Sequence, residues 1–424
     1  MPDVRADVSV PALLLKIGQY PLHSGGVAVV RSLGRLGVPT YAITEDRWTP
    51  VAASRYCAGR FVWRVTGHEE PGTLAARLRS VGLALRESAG ERCVLVPVDD
   101  EAAVLIAEHA PSLADFFLFP EVPAGLPREL ASKQRLFELC REHGVPAPLT
   151  VQPATRAQLA SFAADAVFPV VIKNAEPWQR RRAPAVPHTT VVRSREELLA
   201  TVPGDVPGVI VQEYIPREQA QDWIVHLYCD ANSECRCLFT GVKIRSWPPH
   251  NGATAAAYTL ANPVLARLAA EFCAALGFRG IADLDWRLDL RDGRFKLVDF
   301  NPRVGNQFRL FATEHDDIDV VRAQHLDLTG RTIPPGTVPD GRRIVVEHID
   351  LPARLAYRFG SHRGNGYPAA PKPPRATDTE LAWLAADDPL PVLAMLPFLG
   401  SGARARHSGP RRTPAGAPDS AERP

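Results

Sequence analysis

The sequence predicts a protein of mixed α/β and α+β class. An open parallel α/β domain comes first, then two lobes built on antiparallel sheets, then a C-terminal extension and a disordered tail. Three observations predict this. Between residues 12 and 109, short apolar runs alternate with helical stretches, the pattern of a doubly wound parallel sheet. From Ile281 to Asn301, apolar and charged residues alternate on both sides of Asp292-Gly293, the pattern of an antiparallel hairpin. Proline and glycine gather at 116–128, at 331–343 and from Gly360 onward, and so separate the blocks. At 424 residues two or three domains are expected. The boundaries fall at 1–125, 126–211, 212–330, 331–400 and 401–424.

Taken in order, 12–17 (ALLLKI) reads as a buried strand, and Gly25-Gly26 opens a helix with apolar positions at 27, 30, 33 and 36 that Gly37 stops. Strands follow at 39–44 and 93–96, the latter leading through Asp99-Asp100 into a helix over 101–109. Ligands of such sheets bind beyond the carboxyl ends of the strands, here loops 18–26 and 97–100. Loop 18–26 lacks the GxGxxG pattern. Its helix start suits a carboxylate, and an ordinary strand–helix turn is the alternative. Ser132 caps a helix over 133–143, and Thr155-x-x-Gln158 and Ser194-x-x-Glu197 are capping boxes. Between them FPVVIK (168–173) is a strand with a lysine at its end. The apolar strand 209–211 runs into Gln212-Glu213-Tyr214-Ile215, a linker between lobes, and strands follow at 222–229 and 236–244. Asn262 caps a core helix over 263–276. A strand at 344–349 extends the sheet, and 401–424, rich in Pro, Arg, Ser, Ala and Gly, is expected to be disordered.

Composition excludes several classes. Apolar residues make up 46% and charged residues 23%, and the net charge of +2 exerts no global pull on nucleic acid. No stretch of about 20 apolar residues is present to span a membrane. The nearest, 390–399, is broken by Pro391 and Pro397 and reads as a docked or surface segment. No secretory leader is evident, so a cytoplasmic protein is expected. Seven cysteines without metal-type spacing, apart from Cys235-x-Cys237, read as free thiols.

The chemistry gathers on the hairpin. A two-residue turn at Asp292-Gly293 would set Asp285 opposite Phe300. A three-residue loop, Arg291-Asp292-Gly293 with Gly293 left-handed, sets it opposite Asp299. Asp285, Asp299 and Asn301 then share one patch. Oxygen ligands without His or Cys suit a hard cation such as Mg²⁺. An exposed hairpin with a charged face is the alternative for this stretch alone.

Between about residues 121 and 330 the chain resembles the ATP-grasp superfamily, on segments that occur in the family's order. SKQRLFELCREHGVPAP resembles the opening of that fold, FPVVIKN its phosphate-lysine strand, VIVQEYI its adenine hinge, and ADLDWR with LVDFNPR its paired metal strands. RSLGRLGVP, VPVDDEAA and the VDFNPR ending look most like carboxylate–amine ligases of the D-aspartate-ligase type. The resemblance implies a two-lobed ATP-grasp fold in which Lys133 and Lys173 reach ATP phosphates and Gln212, Glu213, Tyr214 and Ile215 meet the adenine edge. Asp222 would accept from the ribose hydroxyls, with a turn aspartate as the alternative. Asp285, Asp299 and Asn301 would hold two Mg²⁺ ions, or Mn²⁺ in their place, and Arg303 and Arg245 would face the transferring phosphoryl group.

The implied reaction is ATP-dependent amide formation through an acyl phosphate. Its partners are a small carboxylate and an amine, an amino acid or short peptide, with no nucleic acid and a homodimer allowed. A bicarbonate-activating carboxylase and a non-catalytic ATP-binding subunit are the alternatives. Two departures stand out. Residues 174–192, where the family places a glycine-rich loop, contain no glycine and offer Trp178, Arg180, Arg181, Arg182 and His188-Thr189-Thr190 instead. Asp stands at 299 where Glu is commoner.

Overall fold

Three sheets organise the chain, each from a different hydrophobic pattern. The computed structural model describes residues 4–175, 186, 189–202, 208–249, 252–312, 317–359, 370–372 and 374–399. The expected tail 401–424, and Trp178, Arg180, Arg181, Arg182 and His188 of the glycine-free loop, lie outside the described residues.

The first sheet is parallel. It contains β1 (Ala12–Leu15), β2 (Thr40–Thr44), β3 (Cys57–Val62), β4 (Cys93–Pro97) and β5 (Phe117–Leu118), in the order β3-β2-β1-β4-β5. Every residue of β1 is buried, as expected for a central strand covered by helices on both faces. β5 lies inside the stretch expected to be a connection; at two residues it is too short for a period-two signal. The second sheet has β6 (Thr150–Val151), β7 (Val170–Asn174), β8 (Thr190–Val192) and β9 (Val209–Glu213), antiparallel in the order β6-β9-β7-β8. Gln212 and Glu213 are strand residues of β9, where a linker was expected. Ser132, Thr155 and Ser194 each accept a backbone N–H at the start of the helices Lys133–Glu142, Arg156–Asp165 and Arg195–Thr201.

The third sheet has seven strands: β10 (Ala220–Cys229), β11 (Cys235–Trp247), β12 (Ala253–Thr259), β13 (Gly280–Asp289), β14 (Arg294–Asn301), β15 (Arg343–Val345) and β16 (Thr379–Leu381). Their order is β14-β13-β10-β11-β12-β15-β16, antiparallel except for the β15–β16 pair. The strand expected at 344–349 ends at Val345, and a helix, Glu347–Phe359, begins two residues on. Two strands of the segment 331–400, β15 and β16, thus complete the sheet. Leu390–Leu399 forms a helix in spite of Pro397; it packs on the helix Pro50–Ala53 with Pro391 and Met395 buried. No described helix is long and apolar enough to cross a membrane.

The β13–β14 hairpin reaches the expected register by another route. Asp289 pairs with Arg294, so the loop has four residues, 290–293, rather than three. Gly293 is left-handed, with φ 69°. Uncorrected, that loop would slip the ladder by one residue. A bulge at Val298 restores it: Trp286 pairs with Leu297, but Asp285 pairs with Asp299 and Asp283 with Asn301.

One apolar core joins the parallel sheet to the third sheet through the helices Ser24–Gly34 and Val320–Leu328. Polar bonds hold the same seam. Ser32 Oγ donates to Asp319 Oδ2 (2.6 Å), Arg31 Nε donates to Asp388 Oδ2 (2.9 Å), and Gln324 Nε2 donates to the Leu95 carbonyl (3.0 Å).

His348 reports on this C-terminal packing. Its Nδ1 accepts a 2.9 Å bond from Trp383 Nε1, and burial pushes its pKa from 6.5 down to about 4. The unfolded chain therefore takes up this proton first as the pH falls, so the contribution is whole above pH 6.5 and is lost towards pH 4. Thermal melts across that window are expected to fall less steeply for His348→Gln, whose amide oxygen can still accept from Trp383, than for the parent chain.

Candidate active site

The register of β13 and β14 puts Asp283, Asp285, Asp299 and Asn301 on one face of the sheet. β10 lies on the other side of β13, with Asp222 opposite Arg287, Ile224 opposite Asp285 and His226 opposite Asp283. Around Ile224 the face is ionic. Lys243 Nζ stands 2.8 Å from Asp285 Oδ1. Lys133, the first residue of its helix, reaches across to pair with Asp299. Asn301 donates its amide to the Asp283 carbonyl (2.9 Å). The second sheet contributes Lys173, whose charge favours the ionised form of Asp299. Lys173 Nζ donates to Gln212 Oε1 (2.7 Å), and Gln212 Nε2 donates to Thr150 Oγ1 (2.9 Å), so Gln212 orients the lysine.

The carboxylates outweigh their local partners unevenly. Burial opposes ionisation of Asp299, but Lys133, then Lys173 and Arg303, hold its pKa below the usual carboxylate range. Burial also raises Asp285; Lys243 opposes the rise, Asp283 and Asp299 add to it, and the pKa stays above the usual carboxylate value. Burial works against the ammonium of Lys243, yet Asp285, Asp222 and Asp283 together keep its pKa above the ordinary lysine value. Lys243 is therefore firmly charged, and of the three carboxylates on this face Asp285 alone, chiefly through burial, is raised rather than lowered.

Arg303 follows Asn301 by two residues and points from this patch towards the parallel sheet. Its Nη1 donates to Asp283 Oδ2 (2.9 Å), and its Nε lies 3.5 Å from Asp100 Oδ1. Asp283 Oδ1 is 3.1 Å from Nε2 of the fully buried His226. His226 and then Arg303 outweigh the burial of Asp283 and hold its carboxyl well below the usual range. The backbone beyond Arg303 is bonded to the parallel sheet: Val304 N donates to the Pro97 carbonyl (3.2 Å), and Gly25 N donates to Asn306 Oδ1 (3.0 Å). Loops 18–26 and 97–100 therefore border the same cleft. Asp99 joins them, accepting from the backbone N–H groups of Ile17 (3.0 Å) and Gly18 (2.7 Å).

The remaining expected site residues are placed as follows. Glu213 faces the hairpin, paired with Arg291 and with Lys296 (3.2 Å). Tyr214 is half-buried and Ile215 buried, and the Ile215 carbonyl accepts from Arg287 Nη1 (3.4 Å). Asp222 is gripped at both oxygens by Arg287, at 2.6 and 3.0 Å. Arg245 lies within β11, not beyond its end, and Asp350 of the segment 331–400 takes its Nε at 2.7 Å. Of the glycine-free loop, Val186 is described. Its backbone N–H and C=O both bond the Asn174 side chain (3.1 and 2.7 Å), which ties the loop back to the end of β7.

Solved structures with this arrangement of sheets exist. An N5-carboxyaminoimidazole ribonucleotide synthetase in its ADP complex superposes with a TM-score of 0.60 over 85% of this chain and 88% of its own, at 13% identity. The L-amino acid ligase of Bacillus licheniformis gives 0.55 over 75% and 74%, at 17% identity. The biotin carboxylase domain of 2-oxoglutarate carboxylase from Hydrogenobacter thermophilus gives 0.54 over 77% and 71%, at 15% identity. The fold is the ATP-grasp fold. Among curated proteins, the D-aspartate ligase of Enterococcus faecium (strain Aus0004) is 24% identical over 229 residues, 51% of this chain. The chain spans about half, 54%, of the length of that relative. No family model matches the chain.

Within the ATP-grasp frame, sequence reasoning missed Asp283, Lys243, His226 and Asp100. Asp283 carried a signal, since it shares strand parity with Asp285. The others come from three further elements, and only folding brings them to the patch. Among the described residues no group of three His, Cys, Asp or Glu side chains is gathered closely enough to hold a metal ion unaided. The donor set is two facing carboxylates and an amide. It fits Mg²⁺, which takes few protein ligands and completes its shell with phosphate oxygens and water.

Asp283 is expected to be the most costly of these residues to remove. Asp283→Ala leaves His226 and Arg303 without their shared acceptor, a broken buried ion pair worth about 3–5 kcal/mol. Urea unfolding of the two chains side by side measures it.

Proposed function

We propose that this chain is an ATP-dependent carboxylate–amine ligase. The observation that carries the reading is the facing pair Asp285 and Asp299, with Lys133 from a helix start and Lys173 from the second sheet brought to bear on the same patch. The family supports the reaction type: the curated relative is by its name a D-aspartate ligase and one structural neighbour an L-amino acid ligase. On this reading the carboxylate is an amino acid or a close analogue, and the amine belongs to an amino acid or short peptide.

Asp285, Asp299 and Asn301 would hold Mg²⁺, which when bound neutralises phosphate charge and polarises the γ-phosphoryl group. Lys133 and Lys173 bind the phosphates of ATP. They leave their present oxygen partners to do so, at small cost because anionic oxygens replace anionic or amide oxygens. The Tyr214–Ile215 backbone offers an N–H and a C=O to the adenine edge. The substrate carboxylate attacks the γ-phosphorus, the bond to the β-phosphate oxygen breaks, and ADP leaves. The amine then attacks the acyl phosphate, the carbon–oxygen bond to phosphate breaks, and amide, phosphate and a proton are released. Arg303, fixed by Asp283 and Asp100, presents a planar donor set to charge that develops on the phosphoryl oxygens and on the tetrahedral adduct. Arg245 is a weaker candidate for that role while Asp350 holds it.

Release of ADP from ATP and Mg²⁺ across a carboxylate-by-amine panel tests the proposal. ADP is expected only when both partners are present. ADP release stimulated by bicarbonate with no amine would point instead to a carboxylase of the same fold. Asp299→Ala is expected to lower turnover at least roughly a hundredfold, the loss of about 3 kcal/mol of transition-state charge stabilisation. Turnover that survives the change would remove Asp299 from the metal site.

A further inference from the structure

Outside the cleft, β10 and β11 end in a cluster of thiols. Cys229 closes β10, Cys235 opens β11, and the two are directly paired across the turn 230–234. Their Sγ atoms are 2.9 Å apart. Cys273, on the helix Pro263–Ala275, is buried and influences the titration of both thiols. The three differ in access: Cys229 and Cys273 are fully buried, and Cys235 is half-buried at the hairpin tip. The cluster lies beyond His226 on β10, where Cys229 has the opposite strand parity, so it is separate from the acidic face. Nothing in the ligase reading uses it.

We propose that Cys229 and Cys235 are an oxidisable pair that forms a disulfide on exposure to peroxide. The 2.9 Å approach of the two sulfurs puts the bond within reach. Paired residues of adjacent antiparallel strands have Cα atoms about 4.5–5.5 Å apart, inside the span a disulfide accepts. Chemistry assigns the order of events. Hydrogen bonds from Cys229 and Cys273 stabilise the thiolate of Cys235 and bring its pKa below the ordinary thiol value, whereas Cys229 and Cys273 are raised. The Cys235 thiolate attacks one oxygen of hydrogen peroxide. The O–O bond breaks, and the departing hydroxide takes a proton and leaves as water. The sulfenic acid is then attacked by the Cys229 sulfur; the S–O bond breaks, a second water leaves, and the disulfide is formed. Two thiols have been oxidised and one peroxide reduced. Cys273 stays a thiol, because Cys229 is the residue in strand register with Cys235. The product staples the β10–β11 turn three residues from His226.

The experiment uses the full chain, reduced and then freed of reductant. It is treated with hydrogen peroxide at a few equivalents, alkylated and digested without reduction for mass spectrometry. The expected result is loss of two of the seven thiols and a linked peptide joining Cys229 to Cys235. In Cys273→Ser the same link is expected, and in Cys235→Ser no thiols are lost. Mapping of the parent chain decides the matter even where a variant does not fold. Cys229 joined to Cys273, or Cys235 carried to its sulfinic acid with Cys229 still reduced, would overturn the proposal.

Discussion

Everything at the acidic face depends on one bulged residue. The ladder of β13 and β14 starts from a four-residue loop that would place Asp285 and Asp299 on opposite sides of the sheet. Side-chain period is two, so a slip of one inverts every position. Val298, the extra residue, absorbs the slip between Trp286 and Asp285. On both sides of the bulge the alternate residues Leu284, Trp286, Leu297 and Phe300 face the apolar core, while Asp285 and Asp299 share the opposite face, so the bulge keeps both faces continuous along the strand pair.

The second constraint is electrostatic. Carboxylates so close together are tolerated in a folded protein only when cations stand among them. Here the cations arrive from separate elements: Lys133 from a helix start, Lys173 from the second sheet, Lys243 from β11, and Arg303 from the end of the hairpin itself. The C-terminal segment takes part as well. Asp350 engages Arg245, and Asp388 engages Arg31 beneath the parallel sheet. Three blocks that composition separates into domains are therefore joined by charge as well as by a shared core.

How much of this was legible in the sequence follows from the range of each signal. Local signals were read correctly. The caps Ser132, Thr155, Ser194 and Asn262 bind the backbone N–H groups expected of them, and Gly293 takes the left-handed conformation. The facing of Asp285 and Asp299 was also legible, though for a faulty reason, because a bulge at a valine leaves no mark in a pattern of apolar residues. Non-local partners left no trace. Lys243 and His226 look like single charged residues in apolar strands until β10 and β11 are laid beside β13. β5 and β16, with two and three residues, are too short to announce themselves and exist because a neighbouring strand offers each its free edge.

Lys133 and Lys243 occupy the two carboxylates that the proposed reaction assigns to metal ions. On the proposed reading Lys133 exchanges Asp299 for a phosphate of ATP, and Lys243 stays a neutralising partner of Asp285. Exchange of one anionic partner for another changes little in net energy, since both are charge-assisted contacts of similar strength. Arg303 is built on the contrary principle. Its partner Asp283 is buried and held by His226, and Asp100 is half-buried, so moving the guanidinium would leave the buried Asp283 short of a cation. A site with mobile lysines around a fixed arginine suits phosphoryl transfer, where phosphate must enter and leave but the donor set facing the developing charge has to be in place beforehand.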